Sequence, residues 1–447
     1  MKGSLFNVFI ALCDGKYAIF NTMTGALVFA DEDLKGILGS KDVRIDELDS
    51  EMVNRLEKMG LIVENGVDER RLFKYNYLQN RYSNRDAHFS ILLTYKCNLS
   101  CPYCYEGRTT KPEKSMDDEM VERVIKAIIG KVKETGSRNL SLALYGGEPL
   151  LCLNGGMKIL RSLSSWCNSE NVNFKSALIS NGTLLTRATV NTISGHVDAV
   201  QLTLDGPRWY HDRLRVFCNG RGTYDRILES IPLLREAGIS VILRVQVSME
   251  NIVLLAELFD DLKKKGFSED KGIRLYAFPL MELNPACCSY SSLCIDEDSY
   301  EDILPTIWAE GLKKGFVMAF KPTPSFIQPY CSFASDSSYL IDAFGDVYKC
   351  VSLVGQQDHK VARIDSMGRF IDVSFELCEF MARDPLKLES CFNCVYLPTC
   401  SGGCAYRSLL SNRTYFGKDC ALHRTLEYKK ILFYIRSKYS DRLKVIE

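Results

Sequence analysis

The chain has 447 residues, of which 46% are hydrophobic and 25% charged, enough for about two to four domains with a large buried core. Lys and Arg total 56, as do Asp and Glu, so no net field draws it to nucleic acid or an anionic membrane. No segment reaches the ~20 apolar residues of a membrane span; the opening MKGSLFNVFIALCDGKYAIF reads as strand rather than export signal, so the 18 cysteines point to metal ligands in a reducing cytoplasm, not to disulfides.

Residues 5–85 open with NVFIAL and YAIFN, two strand patterns around an Asp14-Gly15 turn, and TGALVFA continues as a third. DEDLKGIL and DSEMVNRLEKMG predict two short amphipathic helices, so this region has the order of a winged-helix-like module. The polar and aromatic DERRLFKYNYLQNRYSNRD (68–86) reads as a linker. From residue 88 strands and helices alternate. HFSILLTY runs directly into a cysteine loop, and SMDDEMVERVIKAIIGKVKE predicts a helix with Ser115 as N-cap and Asp118 three residues on. LSLALYG, FKSALISN, AVQLTLDG, VILRVQVS and IRLYAFPL are further strands, with helical stretches such as TYDRILESIPLLREAG between them. The alternation predicts an α/β parallel sheet or partial barrel over roughly 88–285, with its site at the carboxyl ends of the strands. Beyond about residue 320 cysteines, glycines and short strands take over, until LHRTLEYKKILFYIRSKY returns to an amphipathic helix.

KCNLSCPYCYEG (96–107) sets Cys97, Cys101 and Cys104 directly after the first barrel strand. Three thiolates can hold three irons of a [4Fe–4S] cube and leave the fourth iron open. A structural zinc needs another ligand, and the nearest histidine, His88, lies nine residues upstream in a strand; a redox pair or buried thiols are the remaining readings. In YGGEP (145–149), Gly146 and Gly147 allow close approach of backbone to a ligand, and Glu148 offers a charge for an ammonium group, although such a run also serves as an ordinary turn. Arg244 suits an anion or a strand-end salt bridge, and His211 and Asp212 suit a helix cap. A second set comprises Cys331, Cys350, Cys391, Cys394, Cys400, Cys404 and Cys420, too many for one four-thiolate site, so two metal centres are expected. Cys13, Cys152, Cys167, Cys218 and Cys378 read as buried or incidental thiols.

The CxxxCxxC spacing with Tyr103 before its last cysteine resembles the radical S-adenosylmethionine (SAM) enzymes. YGGEP resembles that family's GGEP motif, which holds the methionine amino group of SAM, SNGTLL (180–185) resembles its segment touching the ribose and carboxylate, and LDGPRWYHDRLRVFCNGRGTYDRIL (204–228) resembles a stretch of its peptide- and protein-modifying branch. The run C-x13-G-x4-C…C-x2-C-x5-C-x3-C…C resembles its seven-cysteine SPASM extension. The resemblance implies an α/β fold: a partial (β/α)6 TIM-like barrel (87–300), an N-terminal winged-helix, leader-recognition-like module and linker (1–86), a cysteine-rich SPASM domain (301–425) and a C-terminal helix (426–447). It also implies SAM and three [4Fe–4S] clusters. Cys97, Cys101 and Cys104 would hold the SAM-binding cluster, and Tyr103, Gly146, Gly147, Glu148, Ser180, Asn181 and Arg244 would contact SAM. Cys391, Cys394, Cys400 and Cys420 would close a distal auxiliary cluster. Cys331, Cys350 and Cys404 would hold a proximal one, completed by Cys287, Cys288 or Cys294 or left open to a substrate thiolate.

By the same resemblance the expected function is that of a ribosomal-peptide maturase: a 5′-deoxyadenosyl radical takes hydrogen from a precursor peptide, and an auxiliary cluster takes the electron as a thioether or carbon–carbon crosslink forms. The implied partners are the precursor and a reductant such as ferredoxin or flavodoxin. One alternative is a formylglycine-generating, anaerobic sulfatase-maturing enzyme, whose usual Asp after the GxxxxC cysteine is here Val351. The other is a non-catalytic iron–sulfur or zinc scaffold. Asp205, Tyr276 and Glu282, at predicted strand ends, are the candidate bases.

Overall fold

The computed structural model describes residues 1–12, 15–41, 43, 48–104, 106, 112–282, 290–318, 322–324, 331–420 and 424–439. They fall into two compact units. One comprises Met1–Tyr82, Phe320–Ser332 and Ala382–Glu447; the other comprises Ser83–Ala319 and Phe333–Met381.

The first unit begins with β1 (Lys2–Gly3), β2 (Asn7–Ala11), β3 (Tyr17–Asn21) and β4 (Leu27–Ala30), followed by α1 (Glu32–Gly39), α2 (Ser50–Lys58) and β5 (Ile62–Val63). β2, β3 and β4 form an antiparallel sheet in that order, while β1 pairs with β5. Asp31 and Asp49 cap the two helices by accepting from Leu34 N–H and Met52 N–H. This is the predicted winged-helix-like order. The sheet is buried on both faces. Ile19 and Ala30 pack with Leu38, Leu56 and Leu61 on one side. Val8, Ile10, Leu12, Ala18 and Phe20 pack on the other with Tyr396 and with Ile431 and Ile435 of the helix Arg424–Tyr439. That shared core is why residues far apart in the chain form one unit, which divisions drawn at 86, 300 and 425 do not reflect.

The stretch expected to be a linker is instead a helix, α3 (Glu69–Arg81), capped by Asp68, which accepts from Arg70 and Arg71 N–H. Its Phe73 is buried with Phe6, Met23, Cys391 and Leu397. Leu72, Tyr75 and Leu78 lie exposed on the same helix, and this blurs the apolar periodicity that would have announced it.

In the second unit six strands alternate with helices: β6 (Asp86–Thr94), α4 (Asp118–Thr135), β7 (Asn139–Gly146), α5 (Leu153–Ser169), β8 (Asn173–Ile179), α6 (Arg187–Ile193), β9 (Ala199–Leu204), α7 (Arg208–Leu214), α8 (Tyr224–Glu236), β10 (Ser240–Val247), α9 (Leu255–Lys264), β11 (Ile273–Pro279) and α10 (Glu297–Lys313). β6 to β11 are parallel neighbours in chain order, a (β/α)6 partial barrel. The short β12 (Val317–Met318) extends one end. β13 (Ser338–Ile341) joins β6 in parallel at the other, followed by antiparallel β14 (Asp346–Tyr348), β15 (Ala362–Ile364) and β16 (Phe370–Ile371). Val200, Leu202, Val241, Leu243 and Leu275 are fully buried, while Gln201, Thr203, Arg244 and Tyr276 on the opposite face of these strands are less covered. Helices cover the first face; the second lines the barrel interior.

The N-cap of α4 is Asp117, accepting from Met120 N–H at 2.9 Å, rather than Ser115. The Ser115 hydroxyl is drawn instead to that of Thr94, 2.6 Å away, where the two residues form a β-bridge. Among the described residues no helix is long and apolar enough to cross a membrane.

Candidate functional site

The loop carrying Cys97, Cys101 and Cys104 leaves the carboxyl end of β6 and is pinned to the segment after α7. Ser100 N–H donates to Val216 O at 2.8 Å, and Cys218 N–H donates to Asn98 O at 3.2 Å. All three cysteines are partly buried. The Cys97 sulfur accepts from Leu99 N–H at 3.4 Å and from the Asn181 carboxamide nitrogen at 3.7 Å. The GGEP turn is stitched to the same loop: Gly147 N–H donates to Thr94 O (2.8 Å) and Glu148 N–H to Lys96 O (2.9 Å). A Cβ on Gly146, whose φ is +152°, would lie 2.3 Å from Thr94 O, and one on Gly147 would lie 2.3 Å from Lys96 O. The close approach that the two glycines permit is thus to the backbone leading into the cysteine loop.

Glu148 is fully buried. Its carboxylate accepts from Asn181 N–H (2.7 Å), the Ser180 hydroxyl (2.8 Å) and Leu150 N–H (3.1 Å), fastening the end of β8 to the GGEP turn. Burial pushes its carboxyl up to about 7, against the pull of these donors. Asn181 also donates to Asn98 Oδ1 (2.8 Å), and its own oxygen accepts from Thr183 N–H (3.0 Å) and the Thr183 hydroxyl (2.7 Å). The Glu148, Ser180 and Asn181 side chains, expected from sequence to contact a cofactor, are thus also bonded to protein groups around the cysteine loop.

Tyr103 is buried among Tyr210, Leu214, Leu280 and Tyr290, with Cys101 and Cys294 packed at the margin. Its hydroxyl donates to Asp205 and accepts from Arg215 Nη1 at 3.0 Å. Asp205 is buried; burial pushes its carboxyl up and the Arg215 charge opposes the shift. Among the described residues Asp205 Oδ1 and Arg215 Nε are buried without a partner. The Nδ1 of His211 accepts from Asp205 N–H at 3.2 Å, which assigns the ring proton to Nε2, 3.0 Å from Thr223 Oγ1. Burial holds His211 well below its ordinary value, so the ring is a neutral spacer. Asp212 accepts from Thr223 N–H (2.7 Å) and Tyr224 N–H (2.9 Å) at the start of α8, the cap expected from sequence. Arg215, the cation of this network, was missed by sequence reasoning; its signal was a second arginine in HDRLR.

Arg244 lies in register with Thr203 and Tyr276 across neighbouring strands, its guanidinium 4.4 Å from the Phe278 ring centroid. Of the candidate bases, Asp205 is buried under its phenol, whereas Tyr276 and Glu282 are exposed. Cys294 packs in the barrel beside Cys101 and Tyr103, while Cys287 and Cys288 lie outside the described residues. Tyr95, two residues before Cys97, donates its hydroxyl to buried Asp342 at 2.8 Å in the turn after β13, and Cys350 closes that β13–β14 hairpin.

In the first unit Cys391, Cys394, Cys400 and Cys420 are close enough to act on one another's charge. Burial pushes the Cys391 and Cys400 thiols up, and each of the two is raised further by Cys394 and Cys420. Ser401, Gly402 and Gly403 all take positive φ, turning the chain sharply between Cys400 and Cys404. Buried Arg383 donates to Tyr415 O at 2.8 Å and Gly402 O at 2.5 Å, joining two loops around these cysteines. Asp419, paired with buried Arg407 at 3.1 Å, accepts from Cys404 N–H. Burial also raises the Cys404 thiol, with Cys331 adding to the shift; Cys350 belongs to the second unit. Of the thiols expected to be buried or incidental, Cys167 is buried and Cys152 partly so, Cys218 and Cys378 are exposed, and Cys13 lies outside the described residues.

Among the described residues no three His, Cys, Asp or Glu side chains converge on a single metal ion. A four-iron cube instead spreads its thiolates over separate irons. Three cysteines on one loop, with N–H donors on one sulfur, suit such a cube. The unpartnered charged atoms of Asp205 and Arg215 beside it suit a ligand carrying both an amino and a carboxylate group.

Residues 91–264 match the radical SAM superfamily model. This part of the chain is a radical SAM domain and the protein an enzyme of radical chemistry, which sets aside a non-catalytic scaffold. The chain is similar to the serine-type anaerobic sulfatase-maturating enzyme of Klebsiella aerogenes, with 27% identity over 322 residues, 69% of this chain and 76% of the relative. Its fold is similar to that of native anSMEcpe with bound AdoMet (TM-score 0.61, 18% identity, 79% of this chain and 97% of that one). It is also similar to Streptococcus suis SuiB bound to precursor peptide SuiA (TM-score 0.54, 14% identity, 94% and 99%).

Proposed function

We propose that this enzyme is a radical SAM/SPASM maturase that oxidatively crosslinks a ribosomally made precursor peptide. The observation that carries this reading is extent: the peptide-bound SuiB structure aligns with 94% of this chain, against 79% for anSMEcpe. In the same direction, β2 and β4 are outer strands of the N-terminal sheet, to which an extended leader can add by β-augmentation.

When bound, SAM and its cluster would supply radical hydrogen abstraction from an unactivated carbon, and an auxiliary cluster would supply an electron acceptor. Cys97, Cys101 and Cys104 would hold the SAM-binding cluster, with Tyr103, Gly146, Gly147, Glu148, Ser180, Asn181 and Arg244 around SAM. Cys391, Cys394, Cys400 and Cys420 would hold the distal auxiliary cluster, and Cys331, Cys350 and Cys404 part of the proximal one. Glu148 and Asn181 lock the strand ends that shape this pocket, while Asp205 and Arg215 present the buried charges that an amino acid moiety needs. Asp205, Tyr276 and Glu282 remain the candidate bases for a substrate proton, of which Tyr276 and Glu282 are exposed. A small reductant of the ferredoxin or flavodoxin class would deliver electrons.

The second reading, sulfatase maturation, is favoured by the 27% identity to the Klebsiella enzyme. Exposed Val351 after Cys350 argues against it, since no carboxylate stands there. Anaerobically reconstituted enzyme is incubated with SAM, reductant and either the precursor encoded beside its gene or a sulfatase-derived peptide. Loss of two hydrogens with a thiol blocked to alkylation, or with a new carbon–carbon link, supports the crosslinker. A hydrazide-reactive aldehyde on the sulfatase peptide supports the second reading, and no 5′-deoxyadenosine with either peptide refutes both.

A further inference from the structure

Asn181, which the sequence resemblance places near SAM, also bonds the cysteine loop. Asn181 is 5% exposed, and its backbone N–H is bonded to buried Glu148 at 2.7 Å. Its Oδ1 accepts from both the N–H and the hydroxyl of Thr183, at 3.0 and 2.7 Å. An amide flip would set the NH2 group against one of these donors, so the carboxamide orientation is determined and Nδ2 faces the sulfur. Nδ2 then lies 2.8 Å from Asn98 Oδ1 and 3.7 Å from Cys97 Sγ. Leu99 N–H reaches the same sulfur at 3.4 Å, giving Cys97 two N–H groups from two different loops.

We propose that Asn181 is a positioning residue that tunes the SAM-binding cluster: its carboxamide donates to the Cys97 thiolate and sets how readily that cluster accepts an electron. This rests on the reading that Cys97 is a cluster ligand. Reduction takes the [4Fe–4S] unit from the 2+ to the 1+ state by one electron from the external reductant, placing added negative charge partly on the thiolates. An N–H donor stabilises that charge more in the reduced state, so it raises the potential. Thr183 fixes the carboxamide of Asn181 and Glu148 its backbone N–H.

The test is an EPR-monitored redox titration of the full-length reconstituted chain, following the cluster whose signal changes when SAM is added. Asn181→Leu, which removes the donor without adding charge, is expected to lower the equilibrium constant for reduction about three- to tenfold, up to ~59 mV for one electron. Thr183→Val, which leaves the donor in place, is expected to shift it less than half as far. An unchanged potential in Asn181→Leu, or equal shifts in both variants, overturns the proposal. Wild-type enzyme carrying side-chain ¹⁵N-asparagine gives a reading that does not depend on a variant folding: hyperfine spectroscopy of the reduced cluster should show a nitrogen coupling, and its absence overturns the assignment. If Cys97→Ala keeps a SAM-responsive four-iron signal, the underlying ligand reading fails instead, and the two failures are distinct.

Discussion

Gly147→Ala places one methyl group where the structure has no room. The Cβ would lie 2.3 Å from Lys96 O, 2.6 Å from Tyr95 O and 2.7 Å from Lys96 C, all backbone atoms of the chain entering the cysteine loop. Relief requires the two segments to part, and that breaks the bonds from Gly147 N–H to Thr94 O and from Glu148 N–H to Lys96 O, 2.8 and 2.9 Å long. Each is worth about 1 kcal/mol net, and a buried donor left unpaired adds roughly 1 kcal/mol or more, so a loss of about 3 kcal/mol is expected. For a unit of this size that corresponds to roughly 6–12 °C in Tm. Gly130→Ala is the counterpart of opposite sign: Gly130 lies within α4 with nothing within 4 Å of its Cβ position, and alanine should stabilise by up to ~1 kcal/mol. Thermal unfolding of the metal-free chain measures both, and SAM-induced change of the cluster EPR signal reports whether the loop still holds its register. A Gly147→Ala protein that melts with wild type and responds normally to SAM would refute the reasoning.

The Glu148 carboxyl is held at about 7 against an ordinary 4.5. A raised acid contributes stability that is whole below about pH 4.5 and lost as pH rises through about 7, at most about 3 kcal/mol. Asp342, pushed up to about 6 by burial, adds the same sign. Denaturant titration of the metal-free chain should show this fall and Glu148→Gln should flatten it; equal slopes in both proteins would contradict the assignment. Tyr103→Phe removes the phenol from buried Asp205 and should cost about 1.5–3 kcal/mol. Denaturation of this variant checks the figure, and a change under ~0.5 kcal/mol would count against the network. Arg383→Ala frees the loops at Gly402 and Tyr415. On the proposed three-cluster reading, iron should fall by about four from roughly twelve per chain while the SAM-responsive signal remains; an undiminished count would separate Arg383 from the distal cysteines.

What the sequence alone determined was whatever is written in local periodicity or rigid spacing. The parallel strands from HFSILLTY to IRLYAFPL, the helix TYDRILESIPLLREAG and the Asp212 cap all depend on residues within a few turns of one another. The three-cysteine loop is likewise local, since Cys97, Cys101 and Cys104 fall within eight residues. Tertiary structure decided which buried polar groups meet. Nothing in YGGEP says that its glycines press on residues 94–96, which becomes true only when β6 and β7 pair in parallel. Nothing in SNGT says that Asn181 meets Cys97, which requires β8 two strands away to end at the same height. The helix α3, hidden by its exposed apolar residues, shares a core with Cys391 more than 300 positions along the chain. Hydrophobic pattern specifies which face of an element is buried, but a hydrogen bond under burial is a pairing of two particular atoms, and strand order and register choose the second one.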